Sequence, residues 1–570
     1  MGERSRSDGR IPGPCAARIQ QENCDPGFLK AKVMSDKIAV GNSAESVQPA
    51  SGQYDATGAF SGSELPPADL KGRAVRGGAI TFVAQVIKVV INMGSTVALA
   101  RLLTPADYGL IAMVTGVTGF VEMFKDAGLS TATVQRERIT NEQISTLFWL
   151  NVAMSFGLML MVVALAPFLG VFYHEPRLVW VTVVLAGTFL CSGLTVQHQA
   201  LLRRNMKFKQ LAVIDVVSIG AGLASAIVMA VLGYRYWALV GMAVGSSLVN
   251  AVAVWIAMPW RPGPPRRGCD VRPMIGFGGG IIGTRFLYAF VRNTPNVLLG
   301  WAWGAAEVGL YQRAYALLMF AVDQIQTPVT AVAIAPMSRL QSDWPRLRRY
   351  FLAGYSVVIS CILPIVATCA VYANEIIEVL LGRRWLAAVG IFRWLSLAGV
   401  FVGLLNPQGM LLLAMGRPTK CVIFALIDAV CVVAGYCAGL HYGAEGVAVG
   451  FFVAKALTCI PMTYGVFKDT PVTFRDAWHT ARGPLVAIGL AAVVGLAAKM
   501  LLTGLVGEWL VAGIGCSLML LVYALILLFV LGQWNFYHDI VMHLMPRRKP
   551  PVQPKVDVPP QESAVINELC

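Results

Sequence analysis

Met274-Ile-Gly-Phe-Gly-Gly-Gly-Ile-Ile-Gly-Thr-Arg285-Phe-Leu-Tyr-Ala-Phe-Val-Arg292-Asn-Thr-Pro-Asn-Val-Leu-Leu-Gly300 is long and apolar enough to cross a bilayer, yet it carries two arginines. At about 100° per residue, seven positions return to nearly the same helix face, so Arg285 and Arg292 point one way. An arginine near the bilayer centre costs about 2.5–3.5 kcal/mol on insertion scales, and more against lipid. Two on one stripe predict a wet interior surrounded by other helices.

The stripe has a counterpart. A shift of 200 positions lays Gln85 over Arg285 and Asn92 over Arg292, with Lys88 on the same face. Thr81, Gln85, Lys88 and Asn92 form one polar line, and Lys88 lies about 16 Å along its run, too deep to snorkel easily. Downstream, Pro105-Ala-Asp-Tyr-Gly-Leu110 overlays Ala305-Ala-Glu-Val-Gly-Leu310. Two halves of the chain repeat one design.

Composition sets the class. Of 570 residues 56% are hydrophobic and 14% charged, with a mean hydropathy of +0.64. The chain reads as an all-α polytopic membrane protein. The net charge of +15 does not mark a nucleic-acid binder, because the basic residues sit in short loops between apolar runs rather than on a soluble face. The twelve cysteines are scattered, without CxxC or His/Cys ligand spacing, and read as small core residues rather than disulfides or metal ligands. No metal or cofactor is expected.

About 14 spans are expected: 77–100, 108–130, 144–172, 178–196, 211–232, 236–258, 274–300, 308–335, 350–372, 387–414, 421–440, 446–467, 484–502 and 509–532. Asn406-Pro407 predicts a kink in the tenth. The spans group as a bundle of six over 71–260, a basic linker over 261–273, a second bundle of six over 274–467, a loop over 468–483 and two additional spans within 484–532. The tails, 1–70 and 533–570, lack the apolar residues needed to order them, the second being proline-rich. The first 70 residues hold no apolar signal region, and Met34 is an alternative start.

Lysine and arginine accumulate on cytoplasmic loops. One set of alternate loops carries Arg136 and Arg138, Arg203 to Lys209, Arg261 to Arg272, Arg339 to Arg349, Arg417 with Lys420, and Lys468 to Arg482. The other holds only Arg101, Arg177, Arg235, Arg383 and Arg384, with Lys499 at a helix end. Both termini are therefore expected in the cytoplasm. Gln199 to Gln210 mixes apolar and cationic positions, which suits either a positive-inside loop or an interfacial helix touching membrane lipid phosphates.

Gly278-Gly-Gly-Ile-Ile-Gly283 matches the dinucleotide pattern GxGxxG, but that pattern needs a preceding strand and a soluble helix start. Inside a span, Gly276, Gly280 and Gly283 are better read as small residues that admit a neighbouring helix or allow a bend. No HExxH, Walker A, GxSxG or paired-carboxylate motif is present, so no catalytic residue is expected. The candidate substrate-binding residues are Lys88, Asn92, Arg285 and Arg292. Glu122, Asp126 and Asp323 are candidate coupling or ion-pair residues. Glu122, Lys125 and Asp126 have the spacing of a local helix-end salt bridge; Asp323 has the option of pairing with Arg285 or of carrying a proton. Arg393, Lys455, Asp215 and Asp428 read as structural pairs.

Arg101-Leu-Leu-Thr-Pro-Ala-Asp-Tyr-Gly-Leu110, Phe124-Lys-Asp-Ala-Gly-Leu-Ser-Thr-Ala132, Gln135-Arg136, Thr146-Leu-Phe-Trp-Leu-Asn151 and Leu201-Leu-Arg-Arg-Asn-Met-Lys-Phe208 resemble the polysaccharide transporter family of lipopolysaccharide and exopolysaccharide exporters. The likeness, nearest the colanic acid exporter type of the multidrug/oligosaccharidyl-lipid/polysaccharide superfamily, spans residues 74 to 480 and is most specific at 97–151 and 199–216. It implies an inner-membrane flippase that moves an undecaprenyl-diphosphate-linked oligosaccharide through a V-shaped, alternating-access pair of bundles, beside a polysaccharide polymerase and chain-length machinery. The family's reliance on cationic lumen residues transfers here to Lys88, Arg285 and Arg292. The alternatives are a cation-coupled drug antiporter of the same superfamily, which would favour an acidic lumen, and a membrane polymerase or ligase, which would need a large periplasmic loop.

Overall fold

Thr104 and Asp107 cap one another: the Thr104 N–H donates to the Asp107 carboxylate at 2.9 Å and the Asp107 N–H donates to the Thr104 hydroxyl at 3.4 Å. With Pro105 in the first turn, this reciprocal cap starts a helix directly after the preceding one ends at Leu102. Thr140 and Gln143 repeat the device where the third helix starts, and Asp343 caps another ahead of Pro345.

The computed structural model describes residues 59–60, 67–123, 125, 130, 133–134, 139–265, 279–502, 507–530, 532 and 534. The chain divides into Met1–Gly52 and Gln53–Cys570, and every described residue lies in the second unit. Its first half comprises α1 (Pro67–Leu102), α2 (Pro105–Glu122), α3 (Asn141–Phe172), α4 (Arg177–Arg204), α5 (Phe208–Val231) and α6 (Trp237–Ala257). The second comprises α7 (Gly279–Trp303), α8 (Ala305–Arg339), α9 (Trp344–Val371), the short α10 (Ala373–Leu380), α11 (Ala388–Ala414), α12 (Pro418–Gly439) and α13 (Gly443–Phe467). Then come α14 (Phe474–Leu502) and α15 (Glu508–Leu525), which runs on as a π-helical turn over Ile526–Val530.

The two halves pack alike. In the first, α1 lies on α5, α3 on α4, and α6 on both α4 and α5; in the second, α7 lies on α12, α9 on α11, and α13 on both α11 and α12. Their turns match too, at a register of 210 rather than 200. Met206 (φ 52°) and Gly416 (φ 68°) both take the left-handed conformation that closes a helix end, as do Gly233 (φ 83°) and Gly443 (φ 72°). The register changes because α10 and the 3₁₀ turn Arg383–Trp385 fill the α9–α11 connection, whereas α3 and α4 are joined by residues 173–176 alone.

The halves meet mainly through α2, which packs on α7 and α8. A Cβ on Gly109 would lie 1.6 Å from the Ala305 carbonyl oxygen, and one on Gly309 would lie 1.8 Å from that of Pro105. The repeated glycine is thus what lets two equivalent helix starts cross backbone to backbone. Around this crossing one core contains residues of both halves, among them Leu99, Tyr108, Leu310 and Trp385. Elsewhere the cores are separate: the cluster of Phe148, Leu201 and Trp260 belongs to the first half, and that of Phe351, Leu411 and Phe467 to the second. α14 and α15 pack on α9, where Lys499 donates to Glu375 at 2.9 Å and the Tyr372 hydroxyl to the Gly495 carbonyl at 2.8 Å.

Among the described residues eleven stretches are long and apolar enough to cross a membrane, with Pro418–Phe467 taken as one although it holds α12 and α13. α2 and α7 are not in that set. These are the helices that face each other across the halves, where Gly116 and Gly119 of α2 receive Asn296 and Asn293 of α7. The outer surfaces stay apolar, with Phe82 70% and Ile256 76% exposed, as lipid-facing helices require.

Several boundaries differ from expectation. The expected disordered tail over 1–70 contains ordered pieces: α1 starts at Pro67, and Ala59–Phe60 pair antiparallel with Ile139–Thr140. The expected loop over 468–483 is partly helical, since α14 begins at Phe474 and carries Pro484 inside it; Asp476 there accepts from Arg348 at 2.6 and 2.8 Å. Gln199 to Gln210 is not an interfacial helix but the end of α4, a tight turn and the start of α5. Asp126, Arg136, Arg138, the linker from Arg266 to Pro273, Gly276, Gly278, the side chain of Arg285 and the tails 1–58 and 535–570 lie outside the described residues.

Candidate functional site

α7 carries the organising stripe, and Arg292 sits on it as an exposed side chain. Pro295 and the Thr294 hydroxyl, which donates back to Phe290 O at 2.6 Å, follow in the next turn. Arg292 lines a cavity of about 260 Å³ enclosed by α7, α8, α11, α12 and α13. Asp323, Tyr288, Tyr315, Asp428 and Lys455 share its wall.

The charges in this cavity are unequal in availability. Lys455 donates to both carboxylate oxygens of Asp428, at 2.8 and 2.7 Å, and the two side chains are only 12% and 19% exposed. Those two charges are committed to each other. Neither Arg292 nor Asp323 makes an ion pair within 4 Å among the described residues, and both are exposed to the cavity side of their helices. The arginine offers a planar fork of donors that stays charged and matches phosphate or carboxylate in bidentate fashion. Asn406, also in the wall, donates to Gln326 of α8 at 3.0 Å.

The first-half residues are arranged differently. Lys88 donates to Asp215 of α5 at 3.0 Å, with side-chain exposures of 24% and 43%, so α1 and α5 are joined by an ion pair. Asn92 is exposed, and its carbonyl accepts from Ser95 and Thr96 at 2.7 and 2.9 Å. Glu122, also exposed, makes no ion pair among the described residues and borders a different cavity from Arg292. The structure therefore brings Arg292 and Asp323 together and leaves Lys88, Asn92 and Glu122 in the first half.

Sequence reasoning passed over Arg313. Its guanidinium carbon stands 3.8 Å from the centre of the Tyr108 ring, between the halves, and Tyr108 in turn meets Trp385 edge-on at 5.4 Å. Trp385 donates to Ala100 O at 2.9 Å and Arg101 to Val379 O at 2.9 Å, so α1 and α2 are fastened to the second half at this one end. A cation four residues after the Gly309 motif was the available signal. Outside the apolar helices, Asp469 accepts from Lys420, whose ammonium holds the carboxyl below its usual range.

Two bundles of one pattern, crossing at a shared glycine pair, define a class of membrane transporter fold. The chain belongs to the polysaccharide biosynthesis protein family, whose model matches residues 98–390, just over half of its 570 residues. It is 23% identical over 406 residues to the lipopolysaccharide biosynthesis protein WzxC of Escherichia coli, covering 70% of this chain and 82% of that one. It is 26% identical over 342 residues to the teichuronic acid biosynthesis protein TuaB of Bacillus subtilis, covering 59% and 70%. Among solved structures it shares the fold of the lipid II flippase MurJ in an inward closed conformation, with a TM-score of 0.64 at 12% identity, covering 81% of this chain and all of that one. An inward-facing multidrug transporter of the MATE family, in the MOP superfamily, matches with a TM-score of 0.54 at 14% identity, covering 67% and 96%.

Proposed function

We propose that this protein translocates an oligosaccharide linked to a polyprenyl diphosphate, undecaprenyl diphosphate being the carrier the family resemblance implies, from the cytoplasmic to the periplasmic leaflet of a bacterial inner membrane. The observation that carries this reading is Arg292: a permanently charged side chain lining a cavity inside an apolar bundle, with no carboxylate bound to it among the described residues. A diphosphate cannot cross hydrocarbon without counter-charge. Arg292, with Arg285 seven residues earlier on the same face, supplies that charge, while the polyprenyl chain stays in lipid. Lys88 acts through its pairing with Asp215, and Asn92 adds a polar group on the same helix. The relatives' names in lipopolysaccharide and teichuronic acid biosynthesis support the pathway. The protein carries the substrate without altering it, so it is not an enzyme, and a polysaccharide polymerase with its chain-length machinery takes the product on the far side.

In this reading the chain crosses fourteen times with both termini in the cytoplasm, as the loop bias in lysine and arginine supports. The end fastened by Arg101, Trp385 and the glycine crossing is then periplasmic. A second reading, a cation-coupled antiporter, is favoured by Asp323, a carboxylate in the same cavity without an ion pair among the described residues. Deleting the gene separates the two. A flippase deletion accumulates undecaprenol-linked sugar, whereas an antiporter deletion leaves that pool unchanged and raises drug sensitivity.

A further inference from the structure

A cavity of about 530 Å³ lies in the first half among α2, α4, α5 and α6. Among the described residues four charged ones border it, Glu122 and Asp215 against Lys125 and Arg203. Asp215 is bound to Lys88 at 3.0 Å, so with Lys88 counted the described charges here leave one positive in excess.

The remaining lining is rich in hydroxyls and amides, among them Ser192, Thr195, Gln199, Ser218, Ser247 and Asn250. Their existing bonds fix what they have left to offer. Thr195 and Ser218 donate to carbonyls of their own helices, at 2.9 and 2.7 Å, so their oxygens remain as acceptors. Gln199 donates to Asn250 at 3.0 Å, which leaves the Gln199 carbonyl as an acceptor and the Asn250 amino group as a donor. Interleaved donors and acceptors are the complement of a polyhydroxyl molecule. The volume falls within the roughly 300–1,000 Å³ of small-ligand sites. By contrast, the second-half cavity is walled by Leu287, Val291, Met319, Val402 and Phe424 around its charged groups.

We infer that this first-half cavity receives the sugar of the lipid-linked substrate and reads its hydroxyl groups. The inference rests on the translocation reading above and divides the labour: the second half holds the diphosphate on Arg292, the first half reads the sugar. The cavity lies toward the ends of α2 and α4 away from the glycine crossing, where Phe120 of α2 meets Phe286 and Phe290 of α7 at 6.0 and 5.9 Å.

The test measures binding to the full chain in lipid nanodiscs with two probes, undecaprenyl diphosphate and the same carrier bearing a neutral disaccharide. The wild-type protein binds the glycosylated carrier about tenfold more tightly than the bare one, the value of a couple of net hydrogen bonds. The double variant Gln199→Leu with Asn250→Leu, which replaces a bonded pair by apolar groups of similar shape, loses that preference and binds bare carrier as the wild type does. Thr195→Val with Ser218→Ala reads the same quantity should the first variant fold poorly. Equal wild-type affinity for both probes, or a tenfold preference surviving in either well-folded variant, overturns the inference. Failure of the wild type to bind either probe overturns the translocation reading instead.

Discussion

Arg292 and Lys88 are both cations in apolar helices, yet their surroundings predict opposite consequences of removing them. Arg292 has no fixed partner among the described residues, so Arg292→Ala should abolish polysaccharide export at near-normal protein level, and Arg292→Lys should retain part of it because charge survives without the bidentate fork. Export assayed beside immunoblots of the membrane fraction decides this. Asp428→Ala should instead deplete the protein, since it leaves Lys455 buried and unpaired at a cost of about 3–5 kcal/mol. Lys88→Ala should cost less, about 1–3 kcal/mol, because the Asp215 side chain keeps 43% of its surface and solvent screens the charge it leaves behind. Thermal midpoints of the purified variants should rank in that order, with Lys455→Met and Asp428→Leu together recovering most of the loss. The cations within the spans were legible, because any lysine or arginine in an apolar run stands out. Their partners were not: Lys88 and Asp215 are 127 residues apart, and only the packing of α1 on α5 joins them.

The glycine crossing belongs to the scale of helices. The overlay of Pro105 to Leu110 on Ala305 to Leu310 was readable as a repeat, but its meaning was not, because nothing in one copy says that it packs against the other. The structure supplies the reason in the 1.6 and 1.8 Å approaches that any Cβ would make. Gly309→Ala should therefore force the two helix starts apart. In a chain otherwise free of reactive thiols, Leu103→Cys, at a position 2% exposed, should react with a water-soluble thiol reagent severalfold faster when Gly309→Ala is added. Unchanged labelling would show that the crossing does not hold this end shut. α10 was harder to foresee. Ala373 to Leu380 falls in the connection between two expected spans, and only in the fold does it form a helix that binds Lys499 through Glu375 and Arg101 through the Val379 carbonyl.

For the whole molecule, apolar runs carried most of the helical architecture, since length and hydropathy are local properties. The ends of the helices were less legible: α1 begins inside a stretch that looked too polar to be ordered and α14 inside an expected loop, because a proline in a first turn or packing against a neighbour suffices to start a helix there. Sidedness is tested by reporter fusions after Arg136 and after Leu440, which should report the cytoplasm and the periplasm respectively; the same side for both would contradict fourteen crossings. The central claim is that this chain carries a lipid-linked oligosaccharide across the membrane on the cation of α7. Its most direct test uses a deletion strain complemented with wild-type or Arg292→Ala protein at matched abundance, and measures the fraction of undecaprenyl-diphosphate oligosaccharide that an added glycosidase can reach in spheroplasts. The account predicts that most of the pool becomes accessible with the wild type and stays protected with Arg292→Ala. Accessibility that is the same with wild type, with Arg292→Ala and with no complementing gene would contradict it.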